Sequence, residues 1–294
     1  MIEYLIGVDG GGTGTRVRLA SSASSGEELA QASAGPSGLS HGIANAWTTI
    51  LAAVGEACAV ADIGSPPLSS MAIGLGLAGV HNKDWAAQFV AADPGFAALV
   101  LDTDGFSTLM GAHGGAPGAI VAIGTGSVGE AMLVDGTKVE VGGWGFPAGD
   151  EASGAWMGLR ALNHIEQVLD GRVEGGAFAR EVIAACGGNR DAVQIWLGRA
   201  NQTAYASLAR FVVLHGASDP VARAILEHAG REVASIADAL DPSHTLPLAL
   251  CGGLGDVLLD WLPPGTRARC LPPQGDSARG ALLMIERHLK KEAR

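Results

Sequence analysis

Residues 5–15 of the chain are Leu5-Ile6-Gly7-Val8-Asp9-Gly10-Gly11-Gly12-Thr13-Gly14-Thr15, an apolar run that ends in a carboxylate and a glycine-rich turn. Glycine at a strand end lets backbone N–H groups approach phosphate oxygens without an intervening Cβ. Residues 15–20 alternate polar and apolar side chains, which predicts a second strand rather than the helix of a Rossmann fingerprint. No Gly-Lys-Ser/Thr follows the glycines, so the turn is not a Walker A loop. The pattern predicts a phosphate-binding hairpin, with Asp9 placed to meet a magnesium ion.

Two later apolar runs also end in glycine. Residues 119–123 lead into Gly124-Thr125-Gly126-Ser127, and residues 248–251 lead into Gly252-Gly253. The hydroxyl groups in the loops can donate hydrogen bonds to phosphate, although serine and threonine also favour ordinary turns. Two hydroxyl-bearing glycine loops predict a nucleotide held between two domains. The indication from Gly252-Gly253 is weaker, because a strand, two glycines and a helix also occur in succession without a ligand.

The composition limits the classes of protein to which the chain can belong. The chain has 294 residues, of which 48% are hydrophobic and 17% charged, which is enough for the cores of two domains. Its net charge of −11 argues against nucleic acid and anionic membranes as partners. Residues 1–4 lack the basic start of a signal peptide, and the apolar residues 43–61 include Asn45 and Glu56, so we expect a packed amphipathic helix and a cytoplasmic protein. No Cys-x-x-Cys pair occurs, which predicts free thiols at Cys58, Cys186, Cys251 and Cys270.

The hydrophobic pattern predicts two successive sets of strands and helices. The first set has strands at 3–8, 15–20, 28–34, 71–77 and 98–101, helices at 43–61, 84–92 and after Asp104, and a turn at Ser21–Gly26. The second set has strands at 119–123, 128–134, 138–141, 247–251 and 267–271, and helices at 150–168, 176–185, 203–215, 219–240 and 277–290. Because the two sets echo each other in order, we expect an α/β protein of two similar domains.

Four blocks in this order resemble the superfamily of sugar kinases, actin and heat-shock chaperones. The blocks are residues 7–13, Asp104-Gly105, residues 124–127 and residues 142–151. The closer match is to the N-acetylglucosamine kinase and benzoyl-CoA-reductase-activator type of ATPase. The resemblance implies two ribonuclease-H-like (actin-like ATPase) domains with an interdomain cleft. The first domain would comprise residues 1–112 and 277–294 and the second residues 113–276, with ATP and Mg²⁺ as cofactors.

Asp104 is the candidate proton acceptor, because it lies just past a predicted strand end and opens a predicted helix. A free aspartate has a pKa of about 3.9, so it would orient a sugar hydroxyl and take its proton late rather than remove it in advance. Helix N-capping is the structural alternative for Asp104, and Asp102 is the local rival for the catalytic role. The resemblance favours Asp104, since an aspartate at the matching position faces the sugar hydroxyl in the family.

Residues 142–151, which read Gly-Gly-Trp-Gly-Phe-Pro-Ala-Gly-Asp-Glu, are too rich in glycine for a helix or a regular strand. They resemble the sugar-recognition loop of N-acetylglucosamine kinases. The Asp150 carboxylate can accept paired hydrogen bonds from sugar hydroxyls, and alternatively it caps a helix that begins at Glu151. Trp144 either stacks on a pyranose face or is wedged into the loop as a structural residue.

The resemblance implies a role for each motif residue, with Asp104 as the base and Asp9 as the residue that organises the metal. The implied nucleotide-binding residues are Gly10, Gly11, Gly12, Thr13, Thr15, Thr125, Gly126, Gly252 and Gly253. The implied sugar-binding residues are Ser127, Gly143, Trp144, Gly145 and Asp150. Relatives often carry asparagine, as a sugar contact, in the loop matched by Ser37-Gly38 and again at Val128, so the exact sugar stays open.

The expected function is an ATP-dependent kinase that phosphorylates N-acetylglucosamine or glucosamine at the 6-hydroxyl group. Its expected partner is a small sugar, and a homodimer is an open alternative to a monomer. One rival function is an ATPase activator that drives electron transfer through a subunit-bridging iron–sulfur cluster, which needs cysteine ligands at a dimer seam. A second rival is a non-catalytic sugar sensor on the same fold, against which the retention of Asp104 speaks.

Overall fold

The structure is a computed structural model that describes residues 1–23 and 27–292. It divides into two compact units, unit 1 from Met1–Pro117 with Pro272–Arg294 and unit 2 from Gly118–Leu271. The sequence predicts domain boundaries after residue 112 and before residue 277. The predicted turn at Ser21–Gly26 lies partly outside the described residues.

The described residues form regular elements along most of the chain. In chain order these are β1 (Tyr4–Gly10), β2 (Thr15–Ser21), β3 (Glu28–Ala34), α1 (Ile43–Val60), β4 (Met71–Leu77), α2 (Lys83–Ala91), β5 (Ala98–Asp102), α3 (Asp104–Ala112), β6 (Gly118–Ile123), β7 (Ser127–Met132), β8 (Lys138–Gly142), α4 (Gly154–Leu169), α5 (Ala177–Ala185), α6 (Arg190–Leu197), α7 (Gln202–Ala206), α8 (Ala209–His215), α9 (Pro220–Leu240), β9 (Leu248–Cys251), α10 (Gly255–Leu259), α11 (Pro264–Arg267) and α12 (Ser277–Glu292).

Unit 1 is built on a five-stranded sheet in the order β3-β2-β1-β4-β5. Strands β1 and β2 pair antiparallel, with Gly10 opposite Thr15, so the predicted hairpin is confirmed. The Gly11 N–H donates to the Gly14 carbonyl at 2.9 Å and closes the turn. Strand β4 lies parallel to β1 and β5 parallel to β4. The carboxyl ends of β1, β4 and β5 therefore meet at one edge, which brings the residues after them together.

Helix α12 returns from the far end of the sequence to pack on β1, β4 and α3. Two strand glycines allow this close approach. A Cβ on Gly7 would lie 2.2 Å from the Ala278 carbonyl oxygen, and one on Gly74 would lie 2.0 Å from the Ala281 carbonyl oxygen. Since real Cβ atoms do not approach backbone so closely, any larger residue at either position would push α12 off the sheet.

Helix α1 packs against β2 and β3 in unit 1. Among the described helices it is the one long and apolar enough to cross a membrane by length and composition, which is weak evidence for a span. Its Trp47 is buried in the core, where the ring stacks on Phe89 with centroids 4.3 Å apart. The Trp47 indole N–H donates to the Phe89 carbonyl at 3.1 Å. These contacts are those of the packed amphipathic helix that the sequence predicts.

Unit 2 is built on a four-stranded sheet in the order β8-β7-β6-β9. Strands β6 and β7 pair antiparallel, and β9 lies parallel to β6. Its core is filled by helices α4, α5, α8 and α9, which contribute large apolar side chains such as Phe178 and Ile165. Both sheets thus begin with an antiparallel meander and add a parallel strand, and the predicted α/β class is confirmed.

The structure corrects the predicted elements at two places in unit 2. Residues 267–271 are not a strand: helix α11 ends at Arg267, and Cys270 makes only an isolated bridge to Leu248. The helix predicted over 203–215 is two helices, α7 and α8. At the break the Ser207 hydroxyl donates to the Ala204 carbonyl at 2.7 Å, which competes with the helical backbone bonds.

A third correction concerns the start of α4, which the sequence predicts at Asp150. Asp150 and Ala152 have φ angles of 58° and 65°, in the left-handed region that an α-helix cannot use. The helix therefore begins at Gly154, and Ser153 is its N-cap, accepting a hydrogen bond from the Trp156 N–H at 3.1 Å. The sequence pattern does not predict the short helices α6, α10 and α11.

Candidate active site

Asp9 lies near the end of β1 at the carboxyl edge of the unit 1 sheet. Burial raises the pKa of its carboxyl, and the nearby charges of Asp104 and Asp276 raise it further. A hydrogen bond from the Ser277 side chain and the charge of Arg16, whose Nη1 lies 3.9 Å from Asp9 Oδ2, act in the opposite direction. The site therefore concentrates carboxylates whose mutual repulsion a cation would relieve.

Asp104 is the first residue of α3, immediately after its cap. Thr103 is the N-cap, because its side-chain oxygen accepts the Phe106 N–H at 2.9 Å. Helix capping, the structural alternative for Asp104, is therefore wrong. Asp104 Oδ1 accepts the N–H of its neighbour Gly105 at 3.1 Å. The carboxylate is thus held by a local bond rather than used to cap the helix.

Burial raises the pKa of the Asp104 carboxyl above its ordinary value of 3.8. The backbone bond from Gly105 and the charge of His81 lower it, but less than burial raises it. The rival residue Asp102 is the last of β5, and its Oδ1 accepts the Thr103 N–H at 2.9 Å. Asp102 thus has the strand-end role that the sequence suggests, while Asp104 lies close enough to Asp9 for its charge to raise the pKa of Asp9.

The glycines of the first hairpin serve different purposes. Gly10 is required by packing, because a Cβ there would lie 2.2 Å from Ser37 Oγ. Around Gly11 and Gly12 a Cβ would meet no heavy atom closer than 3.9 Å, and Gly12 and Thr13 are exposed. Thr15 is buried, and its Oγ1 lies 2.7 Å from both the Gly35 carbonyl and Ser37 Oγ. The turn therefore offers open backbone at residues 11–13, and its Thr15 hydroxyl is engaged within the unit.

In unit 2, Asp150 ties three segments together. Its Oδ1 accepts the Ser127 N–H at 3.3 Å, and its Oδ2 accepts the Gln202 side-chain amide at 2.6 Å. Burial raises the pKa of Asp150, and these two bonds lower it by less. The helix-cap alternative for Asp150 is wrong, since Ser153 caps α4. Its carboxylate instead fixes the loop before α4 against the glycine loop after β6.

The loop 124–127 is shaped around that carboxylate. A Cβ on Gly126 would lie 2.8 Å from Asp150 Oδ2, so glycine is needed there for space. The Ser127 hydroxyl donates to the Glu151 carbonyl at 2.6 Å. Thr125 is exposed, and a Cβ on Gly124 would meet nothing within 4 Å. The open part of this loop is therefore its first half, Gly124-Thr125.

The loop between β8 and α4 presents a tryptophan to solvent. Gly142, Gly143 and Gly145 have φ angles of 78°, 71° and 83°, a backbone that favours glycine. The Trp144 side chain is 85% exposed, so the wedged structural alternative for it is wrong. A cavity of about 570 Å³ adjoins the loop, lined by polar side chains that include Glu151, Arg160, Asn163 and Glu232. A polar ligand of monosaccharide size fits this volume.

The last glycine pair follows β9. Gly252 has a φ of 81°, and a Cβ there would lie 2.4 Å from the Ile123 carbonyl oxygen, so this glycine packs against β6. Gly253 is exposed, and a Cβ there would meet nothing within 4 Å. The structure thus groups Gly252 with the 124–127 loop in unit 2. It groups Asp9, Asp104 and the first hairpin in unit 1.

Sequence reasoning missed two side chains that join distant segments: Gln202, which donates to Asp150, and Ser277, whose Oγ lies 2.6 Å from Ser107 Oγ. The sequence predicts Ser277 only as the start of the last helix, and Gln202 lies outside every motif. A serine at the first position of a helix that returns to the phosphate edge is a signal that could have been used. Gln202 gives no sequence indication, because its partner lies 52 residues away.

Comparison with known proteins gives a consistent result. The model of the BadF/BadG/BcrA/BcrD ATPase family matches residues 6–248. A glucosamine kinase of Vibrio cholerae is 31% identical over 284 residues, covering 96% of this chain and 95% of the relative. A crystal structure from Chromobacterium violaceum, of a protein assigned as an N-acetylglucosamine kinase, is 54% identical with a TM-score of 0.92, covering 97% of this chain and 99% of that one.

A more distant likeness supports the fold alone. A glucokinase of the ROK family from Streptomyces griseus, solved with glucose and AMPPNP, is 18% identical with a TM-score of 0.54. The alignment covers 97% of this chain and 99% of that one. Together with the Chromobacterium structure, it confirms the predicted fold class. The family match, the Vibrio relative and the Chromobacterium structure confirm the resemblance that the sequence motifs predict.

Proposed function

Because the chain belongs to the BadF/BadG/BcrA/BcrD ATPase family, we propose that it is an ATP-dependent kinase that phosphorylates an amino sugar. The substrate is N-acetylglucosamine or glucosamine, and the acceptor is its 6-hydroxyl group. Support comes from the named relatives, one a glucosamine kinase that matches over nearly the whole chain. Further support comes from the placement of Asp104 in the structure, and the proposed mechanism is based on this observation.

Asp104 acts as the base in this proposal. The Asp104 carboxylate does not cap α3, since Thr103 is the N-cap of that helix. Burial raises its pKa, which brings it closer to neutral pH and strengthens it as a proton acceptor. It orients the sugar hydroxyl toward the γ-phosphoryl group of ATP. It takes the hydroxyl proton as the new P–O bond forms and the bond between the γ-phosphorus and the ADP oxygen breaks, so that ADP leaves.

Asp9 is the residue proposed to organise magnesium. Carboxylate oxygens are hard ligands of the kind that Mg²⁺ prefers, and Mg²⁺ is held in phosphate-transfer sites by one or two carboxylates with substrate phosphates and water. The repulsion that Asp9 feels from Asp104 and Asp276 fits a cation site. When bound, the ion would neutralise phosphate charge.

The glycine loops are proposed to contact the nucleotide through their open segments. In unit 1 these are Gly11, Gly12 and Thr13, with Gly10 setting the turn by its packing. In unit 2 they are Thr125 and Gly253, supported by Gly126 and Gly252. The buried hydroxyl of Thr15 favours the turn-forming alternative for that residue.

Sugar recognition is proposed for the loop 143–150. The exposed Trp144 ring is available to stack on a pyranose face. The positive φ angles of Gly143 and Gly145 give the loop a backbone course that other residues rarely adopt. Asp150 would accept sugar hydroxyl groups with the lone pairs that Ser127 and Gln202 leave unused. Ser127 would act by holding Asp150 and Glu151 in place.

The electron-transfer activator is the weaker alternative. Cysteines bind iron as thiolates, and burial raises the pKa of Cys186 to about 11 and of Cys251 to about 12. Cys58 is buried as well. Within the ranges 1–23 and 27–292, no group of three or more His, Cys, Asp or Glu side chains is placed to hold a metal ion.

A coupled assay of ADP release tests the proposal. The purified chain is offered MgATP with glucosamine, N-acetylglucosamine, glucose, mannose or no sugar. We expect ADP release that depends on an amino sugar, with the 6-phosphate identified by NMR. ADP release that no sugar stimulates, together with iron in anaerobically purified protein, would support the activator instead. Sugar binding without turnover would support the sensor.

A further inference from the structure

The short helix α7 of unit 2 contacts the loop between β8 and α4 at two points. Its first residue, Gln202, donates from its side-chain amide to Asp150 Oδ2 at 2.6 Å. The Tyr205 ring, about one helical turn further on, lies against the Phe146 ring with centroids 4.9 Å apart. Both contacted residues belong to the proposed sugar loop, which also carries the exposed Trp144. Helix α7 therefore supports this loop, although it lies outside every sequence motif.

The backbone of α7 is itself held in place. Asn201 is its N-cap, and the Asn201 side chain accepts the Ala204 N–H at 3.0 Å. Helix α4 packs closely on α7, since a Cβ on Gly158 would lie 1.9 Å from the Tyr205 carbonyl oxygen. A donor on a capped and packed helix has a defined position. The Gln202 amide therefore reaches its acceptor from a fixed point rather than from a free loop.

Two donors set the rotation of the Asp150 carboxylate, and Gln202 is the closer of them. The Ser127 N–H lies 3.3 Å from Oδ1, which is long for a hydrogen bond, whereas the Gln202 amide lies 2.6 Å from Oδ2. A donor on Oδ2 also favours the ionised carboxylate, which can only accept hydrogen bonds. Burial and the charge of Glu151 act in the opposite direction and raise the pKa of Asp150. Gln202 therefore both orients this carboxylate and favours its hydrogen-bond-accepting form.

We propose that Gln202 is a positioning residue for sugar recognition, whose amide orients the Asp150 carboxylate toward the hydroxyl groups of the amino sugar. This inference rests on the proposed sugar-binding role of Asp150. The backbone bond from Ser127 to Asp150 does not depend on the Gln202 side chain. Loss of the amide should therefore weaken sugar binding and leave nucleotide binding nearly unchanged.

Gln202→Glu tests the inference, because it keeps the shape of the side chain and replaces the donor with a second carboxylate. At about pH 8 the two ionised carboxylates repel, and we expect sugar affinity to fall by about tenfold or more. Two carboxylates in contact share a proton and one pKa of the pair is strongly raised, so the lost affinity should return as the pH falls toward about 5. Sugar affinity of the native chain should not rise over this range, because protonation of Asp150 removes an acceptor. Glu151 is present in both chains and does not affect the comparison.

Calorimetry with N-acetylglucosamine and with glucosamine measures these affinities, each as a ratio to the native chain at the same pH. ADP affinity, measured in the same way, should stay within about threefold, which shows that the variant is folded. Gln202→Ala removes the donor without adding charge, so its sugar affinity should be low at every pH. Gln194→Glu is the matched control, since it adds the same charge to an exposed residue of α6 in the same unit. It should leave sugar and ADP affinity unchanged.

Three results would overturn the inference. The first is native sugar affinity in Gln202→Ala or, at about pH 8, in Gln202→Glu. The second is a loss in Gln202→Glu that does not recover at low pH. The third is an equal loss of ADP affinity, which would indicate a structural role alone. A native chain that binds neither amino sugar contradicts the proposed function and the inference with it, so that failure is distinguishable from the other three.

Discussion

At the scale of single residues, burial raises the pKa of Asp9, Asp104 and Asp150 alike, but their neighbours differ. Asp150 is bonded by side-chain and backbone donors from two other segments. Asp104 accepts the N–H of its own neighbour. A carboxylate tied to several segments serves partly as structure. A carboxylate with a local bond, such as that of Asp104, is better placed to contact a substrate. We therefore expect Asp104 and Asp150 to respond differently to mutation.

Asp104→Asn should abolish turnover while leaving sugar affinity within about tenfold, a change of roughly 1.4 kcal/mol. The amide keeps the shape of the side chain but cannot accept a proton in the transition state. Steady-state ADP release and calorimetry with the sugar measure the two effects. Asp102→Asn is the matched control and should retain turnover, because the family resemblance places the base at Asp104, whereas Asp102 is the last residue of β5. If Asp102→Asn loses turnover and Asp104→Asn keeps it, the assignment of the base is reversed.

The same substitution should raise stability at neutral pH. Burial raises the folded-state pKa of Asp104 above 3.8, so the folded chain binds this proton more tightly than the unfolded chain and the ionised group lowers stability at pH 7. The melting temperature of Asp104→Asn should exceed that of the native chain at pH 7. The difference should fade as the pH drops through the raised pKa, and turnover of the native chain should fall over the same range.

At the scale of elements, the seam between α3 and α12 depends on backbone contact that larger side chains would block. Gly280→Ala would place a Cβ 1.7 Å from the Ser107 carbonyl oxygen, and such overpacking costs about 1–3 kcal/mol or more. Gly55→Ala is its control in α1, where a Cβ meets nothing within 4 Å and alanine should stabilise the helix by about 0.5–1 kcal/mol. Urea unfolding should move in opposite directions for the two variants. A neutral Gly280→Ala would show that α12 shifts without cost.

The elements also show what the sequence can and cannot specify. The hairpin around Gly10 follows from alternation and glycine placement, and the structure pairs Gly10 with Thr15. The predicted start of α4 is wrong because nothing in the sequence marks the left-handed backbone of Asp150 and Ala152. The bonds of Ser277 to Ser107 and of Gln202 to Asp150 are single side-chain contacts between distant segments. Periodicity carries no information about such contacts, so only the fold reveals them.

At the scale of the whole molecule, the two units differ in how many segments of the chain build them. Unit 2 is one continuous segment, whereas unit 1 needs residues 272–294 to return. In unit 1, Leu282 and Ile285 of α12 form a buried cluster with Leu5 and Ala72. Removing α12 would expose this face of the sheet to water.

A chain ended after Leu271 should therefore lose the cooperative unfolding of unit 1 and keep that of unit 2. Hydrogen exchange should show amides of β1 and β4 unprotected, while those of β6 and α9 remain protected. Removal of only residues 290–294, which follow Leu289, the last residue of α12 packed against this cluster, is the control and should leave both units protected. Protection of β1 in the shorter chain would show that the sheet is stable without its last helix.

The split of unit 1 has a consequence for synthesis on the ribosome. Its first segment is made early, but α12 is made only after all of unit 2. At about 5–20 residues per second, translating unit 2 takes roughly 8–30 s. During that interval the apolar face around Leu5 and Ala72 is not yet covered by α12. The N-terminal unit is thus completed second, and the exposed face of its sheet is where a nascent-chain chaperone would bind.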